Sequence, residues 1–254
     1  MIMIAENRYQ MILGVLNRQK SVTVQDLAQM LQISESTIRR DLVALDSQGR
    51  LKRVHGGATV LESQFYSNEL DMTTKEAMFS KEKELIGRIA AGLIKAEDVV
   101  YIDAGTTTLQ LAQAIDGEAL KAIYVTNGLA HTRVLARKGC TVYVPAGRIR
   151  ERTEAIVGAA TMNSLRRYNF TKAFMGTNGI SWERGFTTPG IEEGELKAAA
   201  VQAATETWFL ADESKFGKIC AAGICSLHMA SIITNRLPDE KYREFTVIKE
   251  AEIL

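Results

Sequence analysis

Apolar residues recur at helical spacing in three short segments of the first 50 positions. The stripes predict three amphipathic helices, the first over residues 4–16, the second after Thr23 and the third after Ser34. Thr23 is suited to cap the second helix, with Asp26 three residues on in place of the usual Glu or Gln of a capping box. The turn 32–34 joins the second and third helices across three residues, the length that a helix-turn-helix needs. The apolar positions of the three helices are Tyr9, Ile12, Leu13, Leu16, Leu27, Ala28, Leu31, Ile38, Leu42 and Leu45.

The third helix carries short hydroxyls and arginines near its amino-terminal end. Ser34 is a good N-cap, because its hydroxyl can accept a hydrogen bond from an amide of the first turn. Such side chains on the first turns of a helix suit base edges and phosphates in a major groove. The residues that lie off the apolar stripe are Ser36, Thr37, Arg39 and Arg40. The alternative is a solvated amphipathic helix with two surface arginines, and the segment alone does not decide between them.

The residues after the third helix favour DNA binding, because they complete a winged helix-turn-helix over residues 1–60. Gly49 follows the helix and is suited to its C-cap. Segment 51–58 has strand-forming residues before the turn Gly56-Gly57, as a β-wing would. The polar wing residues expected to face the DNA backbone are Lys52, Arg53 and His55.

This amino-terminal pattern resembles the signature of the DeoR family of bacterial sugar-operon repressors. The resemblance rests on Thr37-Ile-Arg-Arg-Asp-Leu42, Gly49, Arg53 and His55-Gly-Gly-Ala58, at several fixed spacings. It implies a DNA-binding regulator whose partner is double-stranded operator DNA.

Charge is distributed unevenly along the 254 residues. Through Ala58 there are eight Lys and Arg against five Asp and Glu, a net charge of +3; the whole chain carries +1, which leaves −2 for the rest. A basic head on a mildly acidic body fits a DNA module joined to a regulatory module. We expect no membrane span and no secretion signal, and therefore a cytoplasmic protein. Three scattered cysteines, Cys140, Cys220 and Cys225, predict reduced thiols rather than a metal site or a disulfide framework.

Beyond a predicted linker over 61–78, strands and helices alternate through residues 79–254. The alternation predicts an α/β body with a mostly parallel sheet covered by helices on both faces. Predicted strands lie at 99–103, 122–126, 141–144, 172–175, 207–211 and 231–234, and predicted helices at 81–94, 108–115, 129–136, 155–168 and 192–205.

Polar residues follow the predicted strands, and carboxyl ends of parallel strands share one sheet edge, where ligands bind. Gly105-Thr-Thr-Thr108 leads into a helix, so its amides and hydroxyls would form an anion cradle. Lys215 or Arg148 could add positive charge on a phosphate. The alternative for the Thr loop is a simple helix cap. The predicted effector-binding residues are Asp103, Gly105, Thr106, Thr107, Thr108, Thr126, Asn127, Gly128, Arg148, Gly176, Asn178, Gly179, Asp212 and Lys215.

These loops resemble the sensor domain of the DeoR family, so the resemblance covers nearly the whole chain. The matching pieces are Asp103-Ala-Gly-Thr-Thr107, Thr126-Asn127, Gly179, Gly185-Phe-Thr187 and Asp212-Glu-Ser-Lys-Phe-Gly217. The resemblance implies a fold similar to ribose-5-phosphate isomerase, a phosphorylated sugar as effector, no cofactor and a homo-oligomer, either dimer or tetramer. Within the family the chain looks most like fructose-operon repressors, which implies fructose-1-phosphate.

Two other function classes compete with a regulator. A sugar-phosphate isomerase or deaminase needs a positioned base, usually Glu or Asp. The related isomerases carry aspartates after the strand that here ends at Gly176, whereas loop 176–179 of this chain has none. The carboxylates that could still act as a base are Asp103 and, shortly after that loop in the sequence, Glu192, Glu193 and Glu195. We therefore expect binding without turnover, with no catalytic or metal-binding residues. The third class, an architectural DNA binder without a ligand, does not account for the polar strand ends.

Overall fold

The computed structural model describes residues 5–19, 21–48, 50–59, 65–66 and 78–251. Contacts between residues divide the chain into two compact units, Met1–Gln64 and Phe65–Leu254, which we call the head and the body. Each has a hydrophobic core of its own.

The head is a winged helix-turn-helix, as the sequence predicts. Its three strands form an antiparallel sheet in which the third lies between the other two. The first of them, which precedes the second helix, was not predicted. The helices are α1 (Ala5–Gln19), α2 (Val24–Leu31) and α3 (Glu35–Ser47), and the strands are β1 (Ser21–Thr23), β2 (Lys52–Val54) and β3 (Gly57–Thr59).

Both predicted helix caps in the head are confirmed. The Thr23 hydroxyl accepts a hydrogen bond from the Asp26 amide at 3.1 Å, and the Ser34 hydroxyl accepts one from the Thr37 amide at 3.3 Å. The stripe of α3 predicted to be apolar, including Ile38, is buried in the head core. Gly49, the predicted C-cap, lies outside the described residues.

The body is built on a seven-stranded, fully parallel sheet, which confirms the predicted α/β class. Its strands are β5 (Val99–Ile102), β6 (Ile123–Thr126), β7 (Thr141–Tyr143), β10 (Phe170–Gly176), β13 (Ala204–Leu210), β16 (Ser231–Thr234) and β17 (Ile248–Glu250). They lie in the order β17-β16-β13-β10-β5-β6-β7. The direction of chain progression therefore reverses between β5 and β10.

Helices cover both faces of this sheet. Ile86 and Leu111 belong to the cluster that contains Ile102, whereas Leu196 belongs to the cluster that contains Tyr101 on the opposite face. Alternate residues of each strand thus enter different cores, as a strand buried on both sides requires. The helices are α4 (Ser80–Ala91), α5 (Thr106–Ala114), α6 (Leu129–Arg137), α7 (Ala159–Leu165) and α8 (Ile191–Gln202).

The helix predicted over 155–168 is wrong in its first turn. Residues Ala155–Val157 form strand β9, which pairs in antiparallel fashion with β8 (Arg148–Arg150). Gly158 then adopts a φ of 109°, a conformation that a helix cannot include, and α7 starts only after it. The apolar residues 155–157 are buried as strand residues, and their composition alone did not distinguish the two states.

Smaller sheets flank the main one and were not predicted. Strands β11 (Gly179–Ser181), β12 (Gly185–Thr188) and β15 (Ala222–Cys225) form an antiparallel sheet next to α8. Strand β4 (Phe65–Tyr66) pairs in parallel with β14 (Ile219–Cys220), so two residues of the predicted linker belong to the body. The rest of the linker through residue 77 lies outside the described residues.

No helix within the described ranges is long and apolar enough to cross a membrane. None of the three cysteines, all of which lie in the described ranges, forms a disulfide, and no group of His, Cys, Asp and Glu that could hold a metal ion occurs among the residues described.

Candidate functional site

The polar residues of α3 lie on the surface of the head. Ser36, Arg39 and Arg40 are exposed, and the Ser34 hydroxyl lies 3.0 Å from that of Ser36 and 2.8 Å from that of Thr37. Arg39 forms an ion pair with Glu35 one turn earlier, at 3.0 Å. The first turns of α3 therefore present hydroxyl and charged groups together, as contact with DNA requires.

The wing adds further exposed polar groups. Lys52, Arg53 and His55 are exposed. The Arg53 amide donates a hydrogen bond to the Asp46 carboxylate at 3.1 Å, which ties the wing to the end of α3. At Gly57 a side chain is impossible without rearrangement, because a Cβ there would lie 2.2 Å from the Val22 carbonyl oxygen.

A part-buried ion pair that the sequence did not reveal holds α1 against α3. Arg8 Nε lies 2.7 Å from Asp41 Oδ2, and a terminal guanidinium nitrogen lies 2.8 Å from Asp41 Oδ1. This two-point contact fixes the rotation of α3 about its axis, and with it the direction of the exposed face. Residues 33 positions apart give no local pattern that would predict it.

The carboxyl ends of the parallel strands bring most of the predicted effector residues to one edge of the body. Asp103 follows β5, and Gly176 ends β10 beside it at the point where chain progression reverses. Such a switch point is where ligands bind in open α/β sheets. The Gly176 amide donates to Asp103 Oδ2 at 3.0 Å, so the two strand ends are directly connected.

Lys197 of α8, a residue that was not among the predicted site residues, occupies the switch point. Its ammonium donates to Asp103 Oδ2 and to the Gly176 carbonyl at 3.1 Å, and it lies 3.4 Å from Glu193 Oε1. The side chains of Lys197 and Asp103 are each 2% exposed. In a sequence, a lysine one helical turn after a glutamate usually indicates an ion pair on the exposed face of a helix. The only signal was its place on the apolar side of α8, beside Leu196 and one turn before Val201.

Burial and charge act in opposite directions on this cluster. Burial lowers the pKa of Lys197, but attraction to Asp103 and Glu193 outweighs it and raises the pKa above its usual value. Burial raises the pKa of Asp103, Lys197 opposes that shift, and repulsion from Glu193 adds to it. Two carboxylates therefore share one buried ammonium, which stays charged.

The Thr loop lies at the start of α5, which has no side-chain cap at Gly105. The Thr108 hydroxyl is committed internally, since it donates to the Asp103 carbonyl at 2.6 Å and contacts His131 Nε2 at 3.1 Å. Thr106 and Thr107 are 7% and 8% exposed, and their hydroxyls have no hydrogen-bond partner among the described residues. The first amides of a helix lack intrahelical acceptors, so this end can receive an anion.

His131 supports the Thr loop from beneath. It is 1% exposed, and burial lowers its pKa to about 4, so the ring is neutral at pH 7. Because Thr108 donates to a carbonyl, His131 Nε2 must donate to the Thr108 hydroxyl. A Cβ at Gly128, the N-cap of α6, would lie 2.3 Å from Nδ1 of His131 in the first turn of the same helix, so any larger residue at position 128 would have to displace the His131 ring.

Two predicted effector residues have their polar atoms engaged inside the protein. Asn127 Oδ1 accepts hydrogen bonds from the Tyr101 hydroxyl and the Ala104 amide, both at 3.0 Å, and Asn127 Nδ2 donates to the Ile156 carbonyl at 3.2 Å. The Thr126 hydroxyl accepts from the Gly128 amide at 3.1 Å. Both side chains brace the loops, and a contact with the effector stays a prediction.

Asp212 and Lys215, after β13, have unused binding capacity. Asp212 is fully buried; its Oδ1 accepts from the Ser214 amide at 3.0 Å, and Lys215 Nζ lies 3.5 Å from its Oδ2. Asp212 Oδ2 has no hydrogen-bond partner in the described part of the chain. Burial raises the pKa of Asp212, but Lys215 and the bonds from Ser214 outweigh burial and hold the pKa below its usual value. A buried, ionised oxygen without a donor is expected to take one from a ligand.

Asn178 and Arg148 differ in what they offer a ligand. The Asn178 side-chain carbonyl accepts from the Thr188 hydroxyl at 3.2 Å, which leaves its amide hydrogens for another acceptor. Arg148 lies on the β8–β9 hairpin with a side chain that is 65% exposed, and it pairs with Glu192 at 2.9 Å. The neighbouring Arg150 pairs with Glu193 at 3.0 Å. The structure thus gives Arg148 a partner on α8 and shows no contact with the Thr loop.

A cleft of about 620 Å³ lies at the opposite edge of the sheet, where β13, β16 and β17 begin. Its lining includes Glu206, His228, Arg243 and Phe245. None of the predicted effector residues contributes to it.

Comparisons with known proteins agree with the two units. The model of the DeoR-like helix-turn-helix domain matches residues 8–64, and that of the DeoR C terminal sensor domain matches residues 78–236. A Bacillus subtilis (strain 168) protein, called an uncharacterized HTH-type transcriptional regulator FruR, is 40% identical over 250 residues, which are 97% of this chain and 98% of that protein. A lactose phosphotransferase system repressor of Staphylococcus epidermidis is 32% identical over 92% of this chain and 94% of its own length.

Among solved structures, a ribose 5-phosphate isomerase A of Methanocaldococcus jannaschii aligns with 54% of this chain and 55% of its own, with a TM-score of 0.40 and 16% identity. The family matches span both units, and the sequence relatives are matched over nearly their full lengths. This chain belongs to the DeoR family of helix-turn-helix transcriptional regulators.

Proposed function

We propose that this protein represses a sugar-metabolism operon and releases its operator when a phosphorylated sugar binds the body. One observation carries the effector half of the proposal. At the carboxyl edge of the sheet, the uncapped start of α5, the free amide of Asn178 and the unpartnered Asp212 oxygen beside Lys215 all follow strands whose ends share that edge. A sugar phosphate offers both an anion and hydroxyl donors, which this set of groups would satisfy.

The geometry suggests how the ligand would be divided between these groups. The phosphate would take the amides of the Thr loop with the Thr106 and Thr107 hydroxyls, since a helix start favours an anion. Asp212 would accept a sugar hydroxyl, because its negatively charged Oδ2 has no hydrogen-bond donor among the described residues and would repel a phosphate. Lys215 is 27% exposed and can contact either end while it balances the charge of Asp212.

The operator half rests on α3 and the wing. Two heads of a symmetric oligomer would place two α3 helices in successive major grooves, with Lys52, Arg53 and His55 near the backbone. The effector must bind the DNA-free arrangement more tightly, since a ligand with equal affinity for both arrangements shifts nothing. Acting on operator DNA, the protein would work in the cytoplasm.

The names of the relatives guide the choice of effector. The name of the lactose phosphotransferase system repressor supports a phosphorylated sugar, and the name FruR agrees with the resemblance to fructose-operon repressors. We propose fructose-1-phosphate as the first compound to test, since the FruR-type relative has the higher identity of the two.

Binding without turnover is supported by the state of the carboxylates. Asp103 is paired with Lys197, Glu193 with Arg150 and Lys197, and Glu192 with Arg148. A general base must reach the substrate proton with a free lone pair. These three groups are engaged in ion pairs, which fits a sensor better than an isomerase. Asp212, whose Oδ2 has no hydrogen-bond donor among the described residues, is the carboxylate at this edge that a base role would need, and the assay for product formation tests it.

Calorimetry with fructose-1-phosphate, and with glucose, ribose and glucosamine phosphates beside it, tests the site. Lys215→Ala, and a Thr106→Ala/Thr107→Ala pair, should each weaken binding by about 1.5–3 kcal/mol while operator binding persists. Lys121→Ala, which removes an exposed lysine paired with Glu118, is the matched control and should bind as the unaltered protein does. If both site variants bind the sugar phosphate as tightly as the unaltered protein, the proposed effector site is wrong. If the protein converts any sugar phosphate to product, the enzyme hypothesis is favoured instead.

A further inference from the structure

Glu35 is an acidic residue in the part of the head that is expected to approach DNA most closely. It is the first residue of α3, directly after the N-cap Ser34. The amino-terminal residues of a recognition helix contact base edges. A carboxylate brought among phosphates is repelled by them, so its presence at this position needs an explanation.

Stability of the helix explains little of it. The pair between Glu35 and Arg39 joins side chains that are 45% and 58% exposed, and such pairs contribute little to folding. An acid in the first turn also favours the helix dipole, but for an exposed side chain this contribution is small. The pair does place a carboxylate beside an arginine of the proposed reading face: Glu35 Oε2 accepts a hydrogen bond from the Arg39 guanidinium at 3.0 Å, on the face of α3 that is open to solvent.

We propose that Glu35 is a specificity-determining residue of the operator interface, an inference that rests on the proposed reading of DNA by α3. Its carboxylate accepts a hydrogen bond from the exocyclic amino group of a cytosine in the major groove. It also orients Arg39 toward the guanine of a neighbouring base pair. On other sequences the carboxylate finds no donor and opposes binding, so it lowers affinity for non-operator DNA.

The side-chain chemistry gives a directional test. Glutamate pairs with the cytosine amino group, whereas glutamine can pair with adenine through two hydrogen bonds. Glu35→Gln should therefore move the preference at one position of each half-site from cytosine to adenine. Discrimination against the wrong base should change by about fivefold to a hundredfold at that position. Loss of the carboxylate also leaves Arg39 available to contact a phosphate. On non-operator DNA the slope of log affinity against log salt concentration should then become steeper by up to about one ion.

The experiment uses the full chain and a randomised duplex library, with sequencing of the bound fraction for the unaltered protein and for Glu35→Gln. Titrations against one selected duplex and one scrambled duplex at several salt concentrations follow. Glu84→Gln is the matched control, because Glu84 pairs with Arg88 one turn later on an exposed helix of the body. It removes the same charge and the same kind of ion pair outside the head.

A shifted base preference with tighter binding to the scrambled duplex supports the proposal, provided that Glu84→Gln shows neither. An unchanged preference and salt slope in Glu35→Gln overturns it, even if Arg39→Ala and Arg40→Ala weaken binding to the selected duplex. If neither arginine variant weakens binding, α3 does not read DNA, and the proposed function of the head fails together with this inference.

Discussion

Replacement of Lys197 by methionine tests whether the buried ion cluster maintains the switch point of the body. The change keeps the length of the side chain and removes its charge. Glu193 retains Arg150 at 3.0 Å, but among the described residues Asp103 retains only the Gly176 amide as a donor. One carboxylate that is 2% exposed thus loses its cation. Removing one partner of a buried pair costs about 3–5 kcal/mol, and we expect about 3 kcal/mol here because the Gly176 amide remains.

The loss of stability caused by Lys197→Met should become smaller as the pH is lowered. Without Lys197 the pKa of Asp103 in the folded state rises further above its value in the unfolded chain. The folded state then binds more protons than the unfolded state between the two values, so stability relative to the unaltered protein increases as the pH falls through the folded pKa. Urea denaturation of the full chain at pH 7.5 and at pH 5 measures the free energy of unfolding at each.

A second substitution separates charge from packing. Asp103→Asn removes the carboxylate, so the Lys197→Met/Asp103→Asn double variant should be more stable than the sum of the single effects predicts, by about 2 kcal/mol. The reasoning is refuted if Lys197→Met costs less than about 1 kcal/mol at pH 7.5, or if the two effects add.

Three further predictions address the head, the Thr loop and the division of the chain. Arg39→Ala and Arg40→Ala should each weaken binding to a selected duplex in gel-shift titrations. An arginine that contacts a base should cost about 1–3 kcal/mol and relax specificity at that position, whereas one that contacts a phosphate should reduce the slope of log affinity against log salt by about one ion. If both variants fold and bind with unchanged affinity, α3 is not the recognition helix. His131 has a pKa of about 4 in the folded protein, below its value of about 6.5 in the unfolded chain, so between pH 6.5 and 4 the imidazole is protonated only when the chain unfolds. The free energy of unfolding should therefore fall by up to about 3 kcal/mol as the pH drops across that window. Denaturation of His131→Gln should show less of this loss than the exposed-histidine control His228→Gln, and equal pH profiles would contradict the burial argument. A chain of residues 79–254 should fold and bind the sugar phosphate without binding DNA. A chain that starts at Phe65 should melt at a higher temperature than this, because it retains the pairing of β4 with β14. If both truncated chains are insoluble or fail to bind the sugar phosphate, the division into two modules is wrong.

Periodicity and caps were enough to predict the three helices and the wing of the head and six of the seven strands of the main sheet, but not β1 or β17. The stripe of Ile38, Leu42 and Leu45 and the caps Thr23 and Ser34 are local signals, and the structure contains all of them. The parallel sheet followed from alternation of apolar strands and helices, which is a property of the whole body rather than of any one residue.

Long-range pairings account for what the sequence did not reveal. Lys197 meets Asp103 across 94 positions, and Arg8 meets Asp41 across 33, so no local spacing records either contact. The strand Ala155–Val157 was assigned to a helix, because its partner strand and the φ of Gly158 decide its state. Among the predicted site residues, the sequence identified the loops, but not that Asn127 and Thr126 direct their polar atoms inward.

The most direct test of the account is the response of the DNA complex to a sugar phosphate. The full chain is bound to a fluorescently labelled duplex selected from a randomised library, and anisotropy is followed as fructose-1-phosphate, a panel of other sugar phosphates, or inorganic phosphate is added. We predict that one sugar phosphate releases the duplex from the unaltered protein at concentrations that leave the Lys215→Ala complex intact, and that inorganic phosphate does not. Complexes that keep their anisotropy with every sugar phosphate, or a Lys215→Ala complex that dissociates as readily as the unaltered one, would contradict the account.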